Sequence, residues 1–568
     1  MVSRSRPNGF SRPVGLLRAG LLLCLLLLLA SFQVPPKSQA QLAHAGSYQA
    51  QSKWLTPVNL SRTPGRSNHP RMVVDHTGRL HVVWSEDTRT PPGTPSEAAF
   101  RRGDSIWYTQ WTGSEWTPPN DIVTVQGLND TVHLPVIAMD SRDNLHLVWV
   151  GANQDYSGFV YYSRCPAGHD PMLSFSWTSP ADLAQTEQWH VVGGSYWPEV
   201  AVDRSDVIHV VWSAQSSRVE THDKNGFFPS KILYVQSEDG GQTWSEVTVL
   251  SDMIEGVPPS EDSDIPKIAF DENSGVHVFW NQTSSDPASP YAPYGGYGVF
   301  QVVSHDGGRS WSQASLLLDA RTLGVQAFTT QPVVLFDADN TEHLLYSIPG
   351  GSSQIIDRQF RDQAAMREAY IKAGGSVQSY ALWLNGAMAA GRLHLVWMYP
   401  AGASDPKVAP YQVFYASWND GSWSEPQQIS NIPLGFTNAT GWETLRPKIA
   451  VGLGNQLHVV WHSWDEISRS WDIYYTHDGS DFPLLTPRPP VLTRQPIRNG
   501  SPIPTLSSSL AETSRFTPTP AAVSAISLGV PHAAVTTDTG SSRPLLYPVL
   551  AVVGILSLTM VVVRRRSR

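Results

Sequence analysis

Short apolar runs of four or five residues, each broken by Asn, Asp, Ser or Gly, recur from about residue 70 to residue 475. Such runs, too short for helices and rich in Val, Ile, Tyr and Trp, predict β-strands separated by tight turns. Pro70-Arg-Met-Val-Val-Asp75, a polar turn and His81-Val-Val-Trp84 set a frame that returns along the chain. Later copies are Pro135, Asp140, His146, Trp149; Pro198, Asp203, His209, Trp212; Pro266, Asp271, His277, Trp280; and Pro332, Asp337, His343, Tyr346. His394 with Trp397, which lacks the Pro and Asp, and Pro447, His458, Trp461 complete the set. Every copy with a Pro places its His eleven residues later, and the aromatic residue always follows the His by three. Successive His residues are 65, 63, 68, 66, 51 and 64 apart, longer than common propeller repeats and with room for long loops.

Each copy reads as a hairpin, Ile268–Asp271 returning as Val276–Trp280, followed by a third strand such as Ile232–Val235 or Ile473–Tyr475 and a fourth such as Glu246–Leu250. Four strands make a blade. Near-continuous apolar strands require cover on both faces, which blades stacked around an axis provide. The expected fold is therefore all-β, a propeller of seven four-stranded blades, or of six if Gly350–Gly375 is an insertion without strands of its own. The last copy has no clear fourth strand, whereas Trp54-Leu-Thr-Pro-Val-Asn-Leu-Ser61 matches Trp423-Ser-Glu-Pro-Gln-Gln-Ile-Ser430. The N-terminal segment is thus expected to close the ring.

The ends read differently. Residues 1–40 have the form of a secretory signal peptide: arginines precede the apolar run Leu21–Leu29, and Ser38-Gln39-Ala40 offers a cleavage site. The propeller is assigned to 41–483. Residues 484–544, rich in Pro, Ser and Thr, read as an extended stalk. Leu545–Val563 carries no charge and is long enough to span a bilayer as a C-terminal transmembrane helix. The basic tail 564–568, with Arg564, Arg565, Arg566 and Arg568, then lies on the cytoplasmic side. The expectation is a single-pass type I protein of the cell membrane with an extracellular propeller. A wall-sorting tail is the minority alternative.

The 568-residue chain has a net charge of −9. Without the nine positive charges of residues 1–40 and the basic tail, the remainder stands at −18, which disfavours nucleic acid as a partner. The only cysteines are Cys24 and Cys165; with Cys24 in the leader, no intrachain disulfide is expected. No Gly-rich phosphate loop, His-Glu-x-x-His helix or nucleophile elbow occurs, so no cofactor is called for. The repeated His is not read as a metal ligand, because equivalent positions on different blades are spread round a ring. A hydrogen bond to the hairpin Asp is expected instead.

Ser237-Glu-Asp239-Gly-Gly241-Gln-Thr243-Trp244 and Ser304-His-Asp306-Gly-Gly308-Arg-Ser310-Trp311 resemble the Asp boxes of sialidase-like propellers, with degenerate versions at Trp111–Trp116 and Trp418–Trp423. The resemblance covers roughly residues 50–480 and implies that these turns stabilise the face opposite the ligand site. It also implies, for sialidases, three arginines on the substrate carboxylate, one in an Arg-Ile-Pro sequence at the start of the first blade. Here that sequence is Asn68-His69-Pro70, and an amide does not replace a bidentate guanidinium.

Ligands are expected at the channel mouth, where the other loops emerge. Arg71, Glu86, Asp87, Lys267, Tyr399, Arg446, Lys448, His462 and Trp464 are the candidate ligand-binding residues. Glu199, Asp465 and Glu466 are the candidate catalytic carboxylates. Polar groups beside aromatic plates, with Trp189, Trp197, Tyr291, Tyr294, Tyr297 and Trp442 on adjoining loops, suit sugars. The expected function is binding of extracellular glycan or glycoprotein; an exo-acting, sialidase-type glycoside hydrolase or a protein-interaction scaffold is the alternative.

Overall fold

The computed structural model describes residues between Trp54 and Gly479, broken at 91–102, 126–129, 153–157, 185–194, 216–229, 255–260, 285–297, 320–331, 402–409, 433–444, 466–469 and a few shorter places. The leader, stalk and membrane segment expected at the two ends lie outside the described residues. No helix among the described residues is long and apolar enough to cross a membrane.

Seven antiparallel sheets follow one another in chain order; six have four strands, and in the sixth blade the outermost place is shared by two short strands that both pair with the third. The ring has seven blades. The first is Arg66–Val74, Leu80–Asp87, Ser105–Trp111 and Asn120–Thr124. The fifth settles the choice between six and seven: Gln354–Arg361 and Ala364–Lys372 pair as its third and fourth strands. The short interval between His343 and His394 reflects a direct hairpin between those strands, not a missing blade.

In the seventh blade, Leu445–Val451, Leu457–Asp465 and Ser470–His477 are joined by Val58–Asn59 from the chain start. Trp54 bridges to Asp478, Val58 pairs with Tyr475, and the Leu60 amide donates to the Ile473 carbonyl at 2.7 Å. Side chains fix the same seam. Asp472 accepts from Asn59 Nδ2 at 2.8 Å and Ser61 Oγ at 2.9 Å, and Ser61 Oγ accepts from the Ile473 amide at 3.0 Å.

The repeated residues are structural. Trp84, Trp149, Trp212, Trp280, Trp397 and Trp461 are fully buried. Four repeated His rings place Nδ1 2.6–2.8 Å from a third-strand tyrosine hydroxyl: His81 on Tyr108, His146 on Tyr162, His209 on Tyr234 and His458 on Tyr475. His394 does the same with Tyr415 at 2.8 Å. In the first five blades Nε2 faces the hairpin Asp, at 3.3–3.6 Å. That carboxylate accepts the turn amides, as Asp75 does from Thr77 and Arg79 at 2.9 and 2.8 Å. Burial alone would raise Asp75, but His81, Thr77 and the turn amides hold it down at about 2.

The two Asp boxes lock neighbouring blades. Asp239 accepts from the Gln242 and Thr243 amides, both at 2.9 Å, and from Ser237 Oγ at 2.8 Å; Asp306 repeats the pattern. Trp244 then stacks edge-on against Tyr162 of the preceding blade, and Trp311 against Tyr234, each with centroids 4.8 Å apart. Trp116 on Tyr475 and Trp54 on Tyr415 extend the scheme through the closing seam. Each of these tryptophans, placed just before a fourth strand, therefore caps a Tyr–His pair that belongs to the neighbouring blade.

Candidate functional site

Proline cannot donate to a sheet ladder, so within a sheet it is accommodated at bulges and edges. Six innermost strands carry a register shift at the same place: Asn68/Arg71, His133/Val136, Tyr196/Glu199, Asp264/Lys267, Leu382/Asn385 and Leu445/Lys448. The residue before the Pro adopts positive φ in each: His69, Leu134, Trp197, Ile265 and Arg446, with Trp383 preceding Leu384 in the sixth blade. Left-handed backbone at non-glycine residues is costly and is retained where the surroundings over-determine it.

The bulges also fix the register of the sixth copy, which lacks the Pro. Counting back eleven from His394 puts Trp383 in the Pro position. Pairing shows instead that Asn385 opposite Val396 corresponds to Arg71 opposite Val83, so Leu384 replaces the Pro and the hairpin is one residue shorter.

The residue beyond each of the six bulges, and Val333 in the fifth blade, lines the central channel. Arg71, Val136, Glu199, Lys267, Val333, Asn385 and Lys448, one from each blade, form a belt around a cavity of about 430 Å3. Toward the hairpin face the walls become Ala269, Phe270, Phe336 and Met388, ending at Glu272. On the belt, Glu199 pairs with Lys267 and, at 3.2 Å, with Arg71. Burial would raise the Glu199 carboxyl, but Lys267, Arg71 and Lys448 outweigh it and hold it at about 2. Burial depresses both lysines; the neighbouring cations Arg71 and Lys267 push Lys448 down further.

The bulge residues themselves form a tier nearer the mouth. Trp197 and Trp383 come from the third and sixth blades, nearly opposite in the ring, yet their rings lie 5.7 Å apart. They meet across the axis. Arg446 packs over Trp383 at 4.0 Å and over Trp197 at 5.3 Å, a cation–π arrangement that screens the guanidinium from water. His69 and His462 approach to 6.1 Å. Burial, followed by the charge of Arg446, lowers His69 well below the ordinary histidine value. Burial raises the Asp264 carboxyl, although it accepts from Ser213 Oγ and the Ile265 amide, both at 2.8 Å, and from the Trp197 indole.

The expected site residues separate accordingly. Arg71, Glu199, Lys267 and Lys448 come together, but on the channel belt, one step deeper than the mouth. Arg446 and His462 lie in the mouth tier, and Trp464 packs edge-on against Trp471 beside His462. Glu86, Asp87 and Tyr399 are enclosed, with 0%, 1% and 0% exposure. Glu86 accepts from Ser67 Oγ and Trp84 Nε1, Asp87 from the Arg89 amide, and Tyr399 Oη from the Ser379 amide. Their polar atoms serve the sheets and do not face the channel. Asp465 ends a strand opposite Ser470; Glu466 and the loop aromatics other than Trp197 lie outside the described residues. Two guanidinium groups, Arg71 and Arg446, stand near the axis among the described residues, with Asn68 in the position where sialidases carry an arginine. His69, Asp264, Trp383 and Asn385 were missed; all but Asn385 lie within two residues before the Pro position, a signal readable once the repeats are aligned.

No family model matches the sequence. No curated protein matches it either. Solved structures resemble the fold. An ulvan lyase of polysaccharide lyase family PL25 aligns with a TM-score of 0.46 at 10% identity, over 73% of this chain and 95% of its own. The NanB sialidase from Streptococcus pneumoniae gives 0.38 at 12%, over 75% and 70%. The α-L-arabinofuranosidase Arb93A from Fusarium graminearum gives 0.38 at 9%, over 75% and 98%. Such identities and scores transfer neither substrate nor reaction. The likeness to sialidase-like propellers stands on the seven-bladed ring and its Asp-box turns.

Proposed function

We propose that this protein is an exported, membrane-anchored propeller that binds extracellular glycan or glycoprotein at its channel mouth. The observation that carries the reading is the mouth tier: Trp197 and Arg446 at the axis, with His69, Asn68, Tyr196 and Asp264 around them, all partly open. Aromatic faces beside hydrogen-bonding groups are what a sugar requires, and the second-to-third and fourth-to-first strand connections leave from this same end. Leu545–Val563 and the arginines after it support the membrane anchor.

The test is saturable binding of the purified full-length chain to an array of neutral, sialylated and sulfated glycans, with recovery of unaltered ligand. Trp197→Ala should weaken that binding about tenfold or more. A second reading, glycoside hydrolysis, needs a protonated carboxyl beside the sugar; Asp264, in the mouth tier with its carboxyl raised by burial, is the candidate acid. It predicts turnover of a chromogenic glycoside that falls in Asp264→Asn. Absence of both glycan binding and turnover would leave a protein-interaction scaffold.

A further inference from the structure

The channel belt is unbalanced in charge. Arg71, Lys267 and Lys448 face a single carboxylate, Glu199, which is engaged by Lys267 and Arg71. Among the described residues the Lys448 ammonium makes no hydrogen bond or ion pair. The other carboxylate in the lining, Glu272 at the hairpin end, is matched by Arg204, whose guanidinium reaches its side chain at 2.6 Å and its carbonyl at 2.9 Å. The rest of the wall is mainly apolar. With both lysines protonated, two positive charges are therefore left over in an enclosed space, where uncompensated charge is expensive. Asn385 adds a polar group; its Oδ1 is taken by the Ile449 amide at 2.9 Å, leaving its amide nitrogen as a donor.

We propose that the channel cavity is a binding site for a small oxyanion-bearing ligand, its carboxylate or sulfate held among Arg71, Lys267 and Lys448. Trp197 and Trp383 separate the belt from the mouth, so the ligand enters from the hairpin face, past the neutralised Glu272. The site does not depend on the glycan reading, and either can fail alone. Lys448 supplies a signature. The charged groups facing it are Arg71, Lys267, Arg446 and Glu199; burial and the three cations disfavour its proton, and an arriving anion restores it. Binding is then coupled to proton uptake and weakens as pH rises.

Calorimetric titration of the full-length chain in non-ionic detergent, in low-chloride buffers, tests this with sodium sulfate, acetate, glucuronate and uncharged glucose. Saturable binding of an anion with no response to glucose is expected, with net proton uptake from the dependence of heat on buffer ionisation. Lys448→Met should weaken binding about tenfold or more, whereas Lys448→Arg should retain binding and lose the proton uptake. Sulfate and acetate binding as well as glucuronate supports a free oxyanion as the source; glucuronate alone supports an acidic sugar. No anion binding, equal response to glucose, or unchanged affinity in a folded Lys448→Met overturns the proposal. If Lys448→Met does not fold, wild-type binding without proton uptake overturns it as well. Anion binding without glycan binding would remove the mouth reading and leave this one standing.

Discussion

Glu86 offers a test of how the ring is sealed. It lies fully enclosed in the first blade, facing Asp472 of the seventh, and accepts from Ser67 Oγ at 2.7 Å and Trp84 Nε1 at 2.9 Å. Burial, reinforced by the charge of Asp472, raises its carboxyl from 4.5 to about 7 despite those hydrogen bonds. Between those values the folded protein holds a proton that the unfolded chain releases. The stability this contributes is complete below pH 4.5 and is lost as pH climbs through 7. At about 1.4 kcal/mol per pH unit the loss amounts to about 3 kcal/mol at pH 8. Glu86→Gln keeps an acceptor for Ser67 and Trp84 and removes the ionisation. It should match wild type near pH 4.5 and exceed it by up to about 3 kcal/mol at pH 8, a rise in Tm of about 4 °C for a propeller of roughly 400 residues. Thermal unfolding followed by circular dichroism between these pH values reads the difference. A Glu86→Gln effect that does not change with pH, or a variant less stable than wild type at pH 8, would refute the reasoning.

Three further outcomes follow from the packing. Ser61→Ala strips a donor from buried Asp472 and an acceptor from the Ile473 amide, and should lower stability by about 1–3 kcal/mol in denaturant titration. Gly307 and Gly308 both have positive φ, but a Cβ at Gly307 meets open space whereas one at Gly308 collides with Tyr234 Oη and Gln236 Oε1. Gly307→Ala should therefore cost only about 1 kcal/mol and Gly308→Ala clearly more, compared by Tm. Tyr475→Phe removes the hydroxyl that His458 and its buried surroundings need, and should cost about 1–3 kcal/mol while leaving the Trp116 contact in place, visible in near-ultraviolet dichroism.

Much of the ring was legible because its strands obey period and spacing. The fixed step from Pro to His to aromatic reports one hairpin repeated, and the match of Trp54–Ser61 to Trp423–Ser430 anticipates the strand that joins Tyr474 and Tyr475. The fifth blade was harder to see. Ala364–Lys372 is an almost wholly exposed edge strand, so it lacks the apolar alternation that marks the others. The site was legible in composition but not in depth. Arg71, Glu199, Lys267 and Lys448 follow the Pro in their repeats, yet only the bulge decides that the residue after the Pro turns into the channel and the one before it toward the mouth. Glu86 and Asp87 look like loop carboxylates in a sequence; only the pairing of Glu86 with Ser105 and Asp87 with Arg66 shows that they end strands inside the sheets.

The seam between Tyr474–Tyr475 and Val58–Asn59 makes the position of the termini arbitrary with respect to the architecture. If the two ends were tied by a linker and the backbone opened in another blade, between its third and fourth strands, the same hydrogen bonds would re-form with a different segment acting as latch. A circularly permuted chain should therefore fold, whereas a fragment lacking one whole blade would leave the ring agape, with a tryptophan on one side and a tyrosine on the other facing water.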